Sequence, residues 1–209
     1  YIHSATQLYS WSDETGFSGI GNFTLPDGNQ PNITDIAINS AGEFYAISTS
    51  SLYQVNPDTA DLLLMGSLSE PLFGLAFDAS DTLYGSGNGL FIVNVTSSSL
   101  IPIELDTSLQ NTGDLVGIPD GSLFCFMDNP ESAAGDVLLS IAPQSGTTQI
   151  IASLEIEEFW GAAYAYNMII AVSNSGYMLL IDLETGEANT YEAEVTDLWG
   201  ASSNPVFVD

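Results

Sequence analysis

The sequence predicts an all-β fold in which five four-stranded antiparallel sheets close into a ring, and three observations predict it. One apolar motif recurs five times along the chain. Each complete copy is followed by three more short runs of strand character. The last copy is cut short, and the first thirty residues supply what it lacks. Four strands in a repeat of about 40 residues is the arithmetic of a propeller blade, so the expected architecture is a five-bladed β-propeller.

The motif copies, each expected to be the first strand of a blade, are Ile33-Thr34-Asp35-Ile36-Ala37-Ile38-Asn39, Leu72-Phe73-Gly74-Leu75-Ala76-Phe77-Asp78, Gly113-Asp114-Leu115-Val116-Gly117-Ile118, Phe159-Trp160-Gly161-Ala162-Ala163-Tyr164-Ala165 and Leu198-Trp199-Gly200-Ala201-Ser202. Second strands are expected at 43–48, 82–86, 122–127, 168–173 and 205–208. Third strands follow at 51–56, 89–94, 137–142 and 177–182, and fourth strands at 62–68, 100–105, 148–154 and 189–194. The runs are rich in β-branched and aromatic side chains, with Gly, Asn, Asp and Ser between them, which is strand and hairpin grammar. No segment of useful length carries a helical period.

The last repeat holds only two strands. Residues 6–12, the turn Asp13-Glu14-Thr15-Gly16 and residues 18–25 resemble the later hairpin around Leu183-Glu184-Thr185-Gly186 and are expected to complete it. The chain is then a single domain, 1–209, with blades at approximately 31–68, 72–105, 113–154 and 159–194 and a closing blade made of 198–209 and 1–30. N-terminal strands pair with C-terminal ones. Without that pairing the ring would present an unpaired edge and a wet apolar face.

With Leu72-Phe73-Gly74-Leu75-Ala76-Phe77-Asp78, Leu83-Tyr84-Gly85 and Leu90-Phe91-Ile92-Val93-Asn94, the chain resembles secreted β-propeller repeat proteins of the bacterial and archaeal kind. The resemblance covers nearly the whole chain and implies architecture and export, not activity. The Trp-Asp dipeptide of WD-repeat propellers and the Asp-rich calcium loop of integrin-type blades are missing. Five-bladed propellers include both glycosidases and lectins.

Charge narrows the function classes. The 209 residues contain no Lys or Arg against 27 Asp and Glu, a formal charge of −27. Nucleic acid and anionic membrane need bases to neutralise phosphates, so neither is an expected partner. Cations, basic proteins and neutral glycans are. The apolar runs are too short to span a bilayer, so no membrane insertion is expected. At 45% hydrophobic residues the chain can still bury a core. It begins at Tyr1 rather than Met, as expected if a leader was removed or the sequence is a fragment. Absence of bases denies trypsin-like proteases a site, leaves the chain almost neutral in acid, and suits cross-linking by metal ions. All three suggest an extracellular or cell-surface location.

Candidate sites lie where the motif departs from itself. Asp35 and Asp114 occupy the position that is Gly74, Gly161 and Gly200 in the other copies. A carboxylate there must face the channel mouth, pair or protonate. Glu70, Glu158 and Asp197 add acids just before inner strands. These are read either as solvated acids capping strand ends or as a convergent set able to hold Ca²⁺. Asp128, Glu131 and Asp136, on the longest insertion between second and third strands, form another candidate calcium set. No cofactor is certain; Ca²⁺ is the candidate.

The aromatic–Gly pairs read first as packing devices near the crowded axis, with Trp160, Trp199 and Trp11 as a candidate glycan-binding set. Leu62, Leu63, Leu64, Met65, Ile150 and Ile151 fall in outer strands, a candidate edge for a protein partner or self-association. Catalysis is not expected. His3 is the only histidine, so a nucleophilic triad finds no supported base, and Cys125 between two phenylalanines reads as a buried hydrophobe. A glycosidase built on Asp35, Asp114 and Glu158 is the enzymatic alternative, although it would lack any Arg to hold its sugar. The sequons at Asn22, Asn32 and Asn94 are near the number chance provides. The expected function is therefore a non-catalytic extracellular binding or assembly module, with lectin and glycosidase as alternatives.

Overall fold

The structure is a computed structural model and describes residues 1–12, 14–108, 113–128, 136–154, 159–185, 187–193 and 195–203. Its strands are, in chain order, β1 (Ile2–His3), β2 (Gln7–Ser12), β3 (Gly16–Asn22), β4 (Asp35–Ile38), β5 (Phe44–Ser48), β6 (Ser51–Val55), β7 (Leu62–Ser67), β8 (Leu72–Phe77), β9 (Leu83–Gly87), β10 (Leu90–Val93), β11 (Leu100–Ile103), β12 (Leu115–Gly117), β13 (Leu123–Asp128), β14 (Asp136–Ala142), β15 (Thr147–Ser153), β16 (Phe159–Ala165), β17 (Met168–Ser173), β18 (Tyr177–Asp182), β19 (Ala188–Glu192) and β20 (Gly200–Ala201).

These strands build five antiparallel sheets: β4 to β7, β8 to β11, β12 to β15, β16 to β19, and a closing sheet in the order β20-β1-β2-β3. The inner strands β4, β8, β12, β16 and β20 contact one another in succession around an axis. The fold is a five-bladed β-propeller, as the repeat count predicts. Its interior is divided like its sequence, into five apolar clusters, one at each junction between successive blades. Second strands such as Phe44–Ser48 are buried along their full length, because both faces are covered by neighbouring blades.

Closure differs from expectation in one respect. The second place in the closing sheet, assigned above to 205–208, is taken by β1, which pairs with β20 on one side and β2 on the other. One C-terminal strand thus meets three N-terminal ones; residues 205–208 lie outside the described residues. Hydrogen bonds from Tyr1 N to Ser202 O and from Ser202 N to Tyr1 O, 2.8 and 2.9 Å, extend the seam. A second tie joins closing and first blades where Leu62 N donates to Thr24 O at 2.9 Å.

Outer strands carry bulges. Ile20, Met65 and Ile151 are each an extra residue in the pairing of β3, β7 and β15 with their neighbours. A bulged edge twists away from flat pairing, a way of blunting an edge without lysine. Leu63, Leu64, Ile150 and Ile151 are exposed as a perimeter set requires. Leu62 is not: it is buried against the cluster between closing and first blades, and Met65 is half-buried against the next cluster.

Candidate functional site at the mouth of the axis

Each inner strand begins at the same end of the ring, so equivalent motif positions form two stacked rings of five. The lower ring is Asp35, Gly74, Asp114, Gly161 and Gly200, one from each blade. The upper ring, one residue earlier, is Thr34, Phe73, Gly113, Trp160 and Trp199.

In the lower ring the glycines are required by contact. A β-carbon on Gly200 would collide with the His3 imidazole and the Asp35 carboxyl, and one on Gly74 would meet the backbone of Gly113 and Leu115. Into the space so left project two carboxyls, both 0% exposed. Asp35 Oδ1 accepts from Ile36 N at 2.7 Å and Oδ2 from Leu75 N of the next blade at 2.5 Å. Asp114 Oδ1 accepts from Leu115 N at 2.6 Å; its Oδ2 accepts from Ala162 N and, at 3.2 Å, from Ala201 N, on the two following blades. The inner strands are sheet edges, and the two aspartates provide acceptors that the missing ladder would otherwise supply. Neither is a solvated loop acid; the reading of these two as strand-end caps open to water is corrected by their burial.

Burial pushes Asp114 up to about 7 against the opposing effect of its hydrogen bonds. Burial, then the Asp114 charge and a hydrogen bond with Asp114, push Asp35 well above the usual carboxylate range. Two like charges so close and so dry do not both ionise, so the pair holds a proton. His3, at the same level in β1, is fully buried with Nδ1 2.7 Å from Ser4 O, which fixes the proton on Nδ1. Its pKa is pushed down to about 4 by burial. Directly beyond the plug the axis retains a cavity of about 10 Å³ bounded by Ala76, Leu115, Ala162 and Ser202, room for about one water.

The upper ring faces outward. Phe73 and Trp160 are each an extra residue between paired neighbours of β8 and β16, and these bulges leave them 42% and 37% exposed. That corrects the reading of Phe73-Gly74 and Trp160-Gly161 as buried packing pairs: the glycine packs and the aromatic turns out. Trp160 meets the half-buried Trp199 edge to face, ring centroids 5.9 Å apart at 88°. Trp199 Nε1 donates to Asp197 Oδ1 at 3.0 Å. Asp197 holds a positive φ of 63° to make that turn. Thr34 fills its place by donating its hydroxyl towards Ile47 O or Leu72 O, 3.2 Å each. The result is an aromatic rim above a proton-sharing plug.

The remaining candidates are dispersed. Glu70 and Asp197 are both exposed, and Asp197 touches the rim through Trp199. Trp11 is away from it, half-buried near the far end of β2 and packed on the cluster between fourth and closing blades. Asp128 and Asp136 face each other across β13 and β14, and Asp136 Oδ2 accepts from Phe159 N at 3.3 Å. Glu158 and Glu131 lie outside the described residues. Among the described residues no three His, Cys, Asp or Glu side chains gather so as to hold a metal ion. Cys125 is buried, with its thiol pushed up to about 12. No helix among the described residues is long and apolar enough to cross a membrane.

One further concavity, about 370 Å³, opens between first and second blades at the opposite end. Its carboxylates are already engaged: Glu43 accepts from Asn39 Nδ2 at 2.7 Å and Asp81 from Ser40 N at 2.7 Å. Sequence reasoning did not find His3 at the axis or Phe73 on the rim. The recurrence of an aromatic before Gly at one motif position was the available signal for the latter.

No family model and no curated protein matches the chain in sequence. Solved structures do match it in shape. A chain of the nidogen/laminin complex superposes with a TM-score of 0.66 at 12% identity, over 97% of this chain and 80% of that one. A gluconolactonase from Xanthomonas campestris superposes at 0.53 and 14%, over 76% and 61%. Hydrazine synthase of Kuenenia stuttgartiensis gives 0.51 and 12%, over 90% and 60%. At these identities the likeness is one of fold, shared by an enzyme and by a protein found in a complex alike.

Proposed function

We propose that the chain is a non-catalytic binding and structural module, exported from the cell, whose ligand surface is the aromatic rim and whose outer strands offer additional protein contacts. One observation carries the reading: at the axis both carboxyls are sealed from solvent and committed to backbone N–H groups, while the aromatics one residue away are turned out. A glycosidase needs two carboxyls that reach substrate and water; Asp35 and Asp114 reach neither. A rim of exposed aromatic side chains above a closed floor is a recognition surface. Export is supported by the base-free, strongly anionic composition, which removes trypsin-type cleavage sites. The nidogen/laminin neighbour supports a partner-binding role only through its shared fold.

Tryptophan emission reports on the rim directly, because Trp160 and Trp199 are two of the three tryptophans. Titration with oligosaccharides and with peptides is expected to change that emission for at least one class, and Trp160→Ala to shift the titration to weaker binding. Silence with every ligand class would remove the rim as a binding surface. Hydrolytic activity lost on Asp35→Asn with the fold intact would replace the module with an enzyme.

A further inference from the structure

We infer that the rim is a cradle for a cationic side chain, a Lys or Arg of a basic partner protein. This rests on the reading of the rim as the ligand surface and names what that surface selects. The first argument is the inventory of polar groups. Asp197, which touches the rim at Trp199, is an acceptor only. The Trp199 indole N–H, a donor, is already given to Asp197, and the Thr34 hydroxyl is turned to backbone carbonyls. Among the described rim side chains that leaves the Trp160 N–H. A sugar offers acceptors as well as donors and meets little here to serve the acceptors. An ammonium or guanidinium offers donors alone.

The second argument is the π surface. Trp160 and Trp199 stand at 88°, so a group beside them meets ring faces in two orientations. Cations are attracted to the negative face of an indole, and most strongly where a carboxylate adds its own charge. Donation of the Trp199 N–H to the Asp197 carboxylate pushes electron density into that ring and deepens its negative face. The bulge at Trp160 lifts this ring out of the blade stack, where a side chain can reach it.

The third argument fixes the class of occupant. A chain of charge −27 draws cations towards every exposed concavity. A second copy cannot supply the group, since this chain has no Lys or Arg to insert. The partner is therefore a different protein, and a basic one.

The test uses the whole chain and the peptide Gly-Arg-Gly-Arg-Gly, with its Lys counterpart and with a neutral cellotetraose control, followed by tryptophan emission and calorimetry at fixed ionic strength. The basic peptides are expected to bind. Trp160→Ala and Asp197→Asn are each expected to weaken binding about five-fold, with Trp160→Phe recovering part of the loss. Asp58→Asn removes the same charge from an exposed turn at the opposite end of the ring and is expected to leave binding unchanged. Equal weakening by Asp58→Asn would show diffuse attraction to a polyanion and overturn the cradle. Binding of cellotetraose but not of peptide, with the same dependence on Trp160, would overturn the cation while leaving the rim as the ligand surface. No binding by either would overturn both.

Discussion

His3 Nε2 lies 3.8 Å from Asp35 Oδ1, with both side chains shut off from solvent, and the two straddle the seam where the closing blade meets the first. The only histidine of the chain has therefore been placed beside a carboxyl pair that keeps its own proton. Its Nε2 makes no hydrogen bond, and its protonation is opposed by burial. The axis is held together by proton sharing and backbone donors, not by an ion pair.

Stability should depend on pH with a definite sign. Asp114 titrates near 7 in the folded chain against 3.8 unfolded, so between those values the folded state binds the proton that the unfolded state has lost. Asp35 acts in the same direction. Their contribution is complete below about pH 4 and is lost as pH rises towards and beyond 7. His3, near 4 folded against 6.5 unfolded, acts oppositely, and its penalty disappears as pH rises through that window. The Tyr1 amine, pushed down to about 6 by burial, joins His3 only above that pH, so the two aspartates dominate and stability falls as pH rises from 4 towards 6. Urea denaturation across that range reads the slope; Asp114→Asn should flatten it and His3→Gln should steepen it. Stability that climbs from pH 4 to 6 would contradict the shared proton.

Removing the Asp114 carboxyl should cost more than its charge suggests. Asp114→Ala leaves the N–H groups of Leu115, Ala162 and Ala201 without their acceptor. With three buried donors orphaned, the expected loss is about 3–5 kcal/mol. Asp197→Asn, on the exposed rim and to a residue type that tolerates the same positive φ, should change stability by less than about 0.5 kcal/mol. Chemical denaturation of the two variants compares them; similar losses would show that Asp114 does not tie the blades.

Gly200→Ala should destabilise the seam. The added methyl would press on the His3 ring and the Asp35 carboxyl, which are held in place by Ser4 O and by the N–H groups of Ile36 and Leu75. An overpacking cost of about 1–3 kcal/mol is expected, read as a lower thermal midpoint. Gly28→Ala is a useful contrast: a β-carbon there meets nothing, and only its φ of 86° resists the change.

The perimeter should become adhesive in acid. Leu63, Leu64, Ile101, Ile150 and Ile151 are exposed on outer strands and at neutral pH are protected by charge repulsion. Near pH 3 most carboxylates are neutral, and sedimentation should detect self-association. Lysine at 63, 101 and 151 should keep the chain monomeric there with little change in stability. A wild-type chain that stays monomeric near pH 3 would show that bulges alone guard these edges.

Calcium should act as a screening ion. Asp35 and Asp114 spend their oxygens on backbone donors, and the exposed acids are spread around the ring. Equal ionic strengths of Ca²⁺ and Mg²⁺ after EDTA are expected to raise the thermal midpoint alike. A rise specific to Ca²⁺ would point to a site among residues such as Asp128 and Asp136.

How much of this was legible in the sequence varied with scale. Strand periodicity located Met168–Ser173 and Tyr177–Asp182 without error, because alternation between turn residues is a local property. Closure was legible as a shortage of strands. The strand that effects it was not, since Ile2–His3 is two residues long and carries no period of its own. Asp35 and Asp114 stood out against glycine, and pairing with protonation was among the fates open to them. Their solvent exposure could not be read, because it depends on donors from Leu75, Ala162 and Ala201, up to 87 residues away. Exposure of Phe73 and Trp160 was hidden for a similar reason. A bulge is a property of register between two strands, and the residue letters are those of a packing pair.

The two-residue strand β1 has a kinetic consequence. Every other blade is a run of consecutive hairpins that can form from its own segment of chain, but the pairing of Ile2 and His3 with Ala201 and Gly200 must bring together segments that the four other blades separate in sequence. Loop-closure entropy makes that encounter the least favourable and the last. Four blades can therefore assemble as an open arc that waits on a short splice, and the rate of maturation is governed by how often that splice takes.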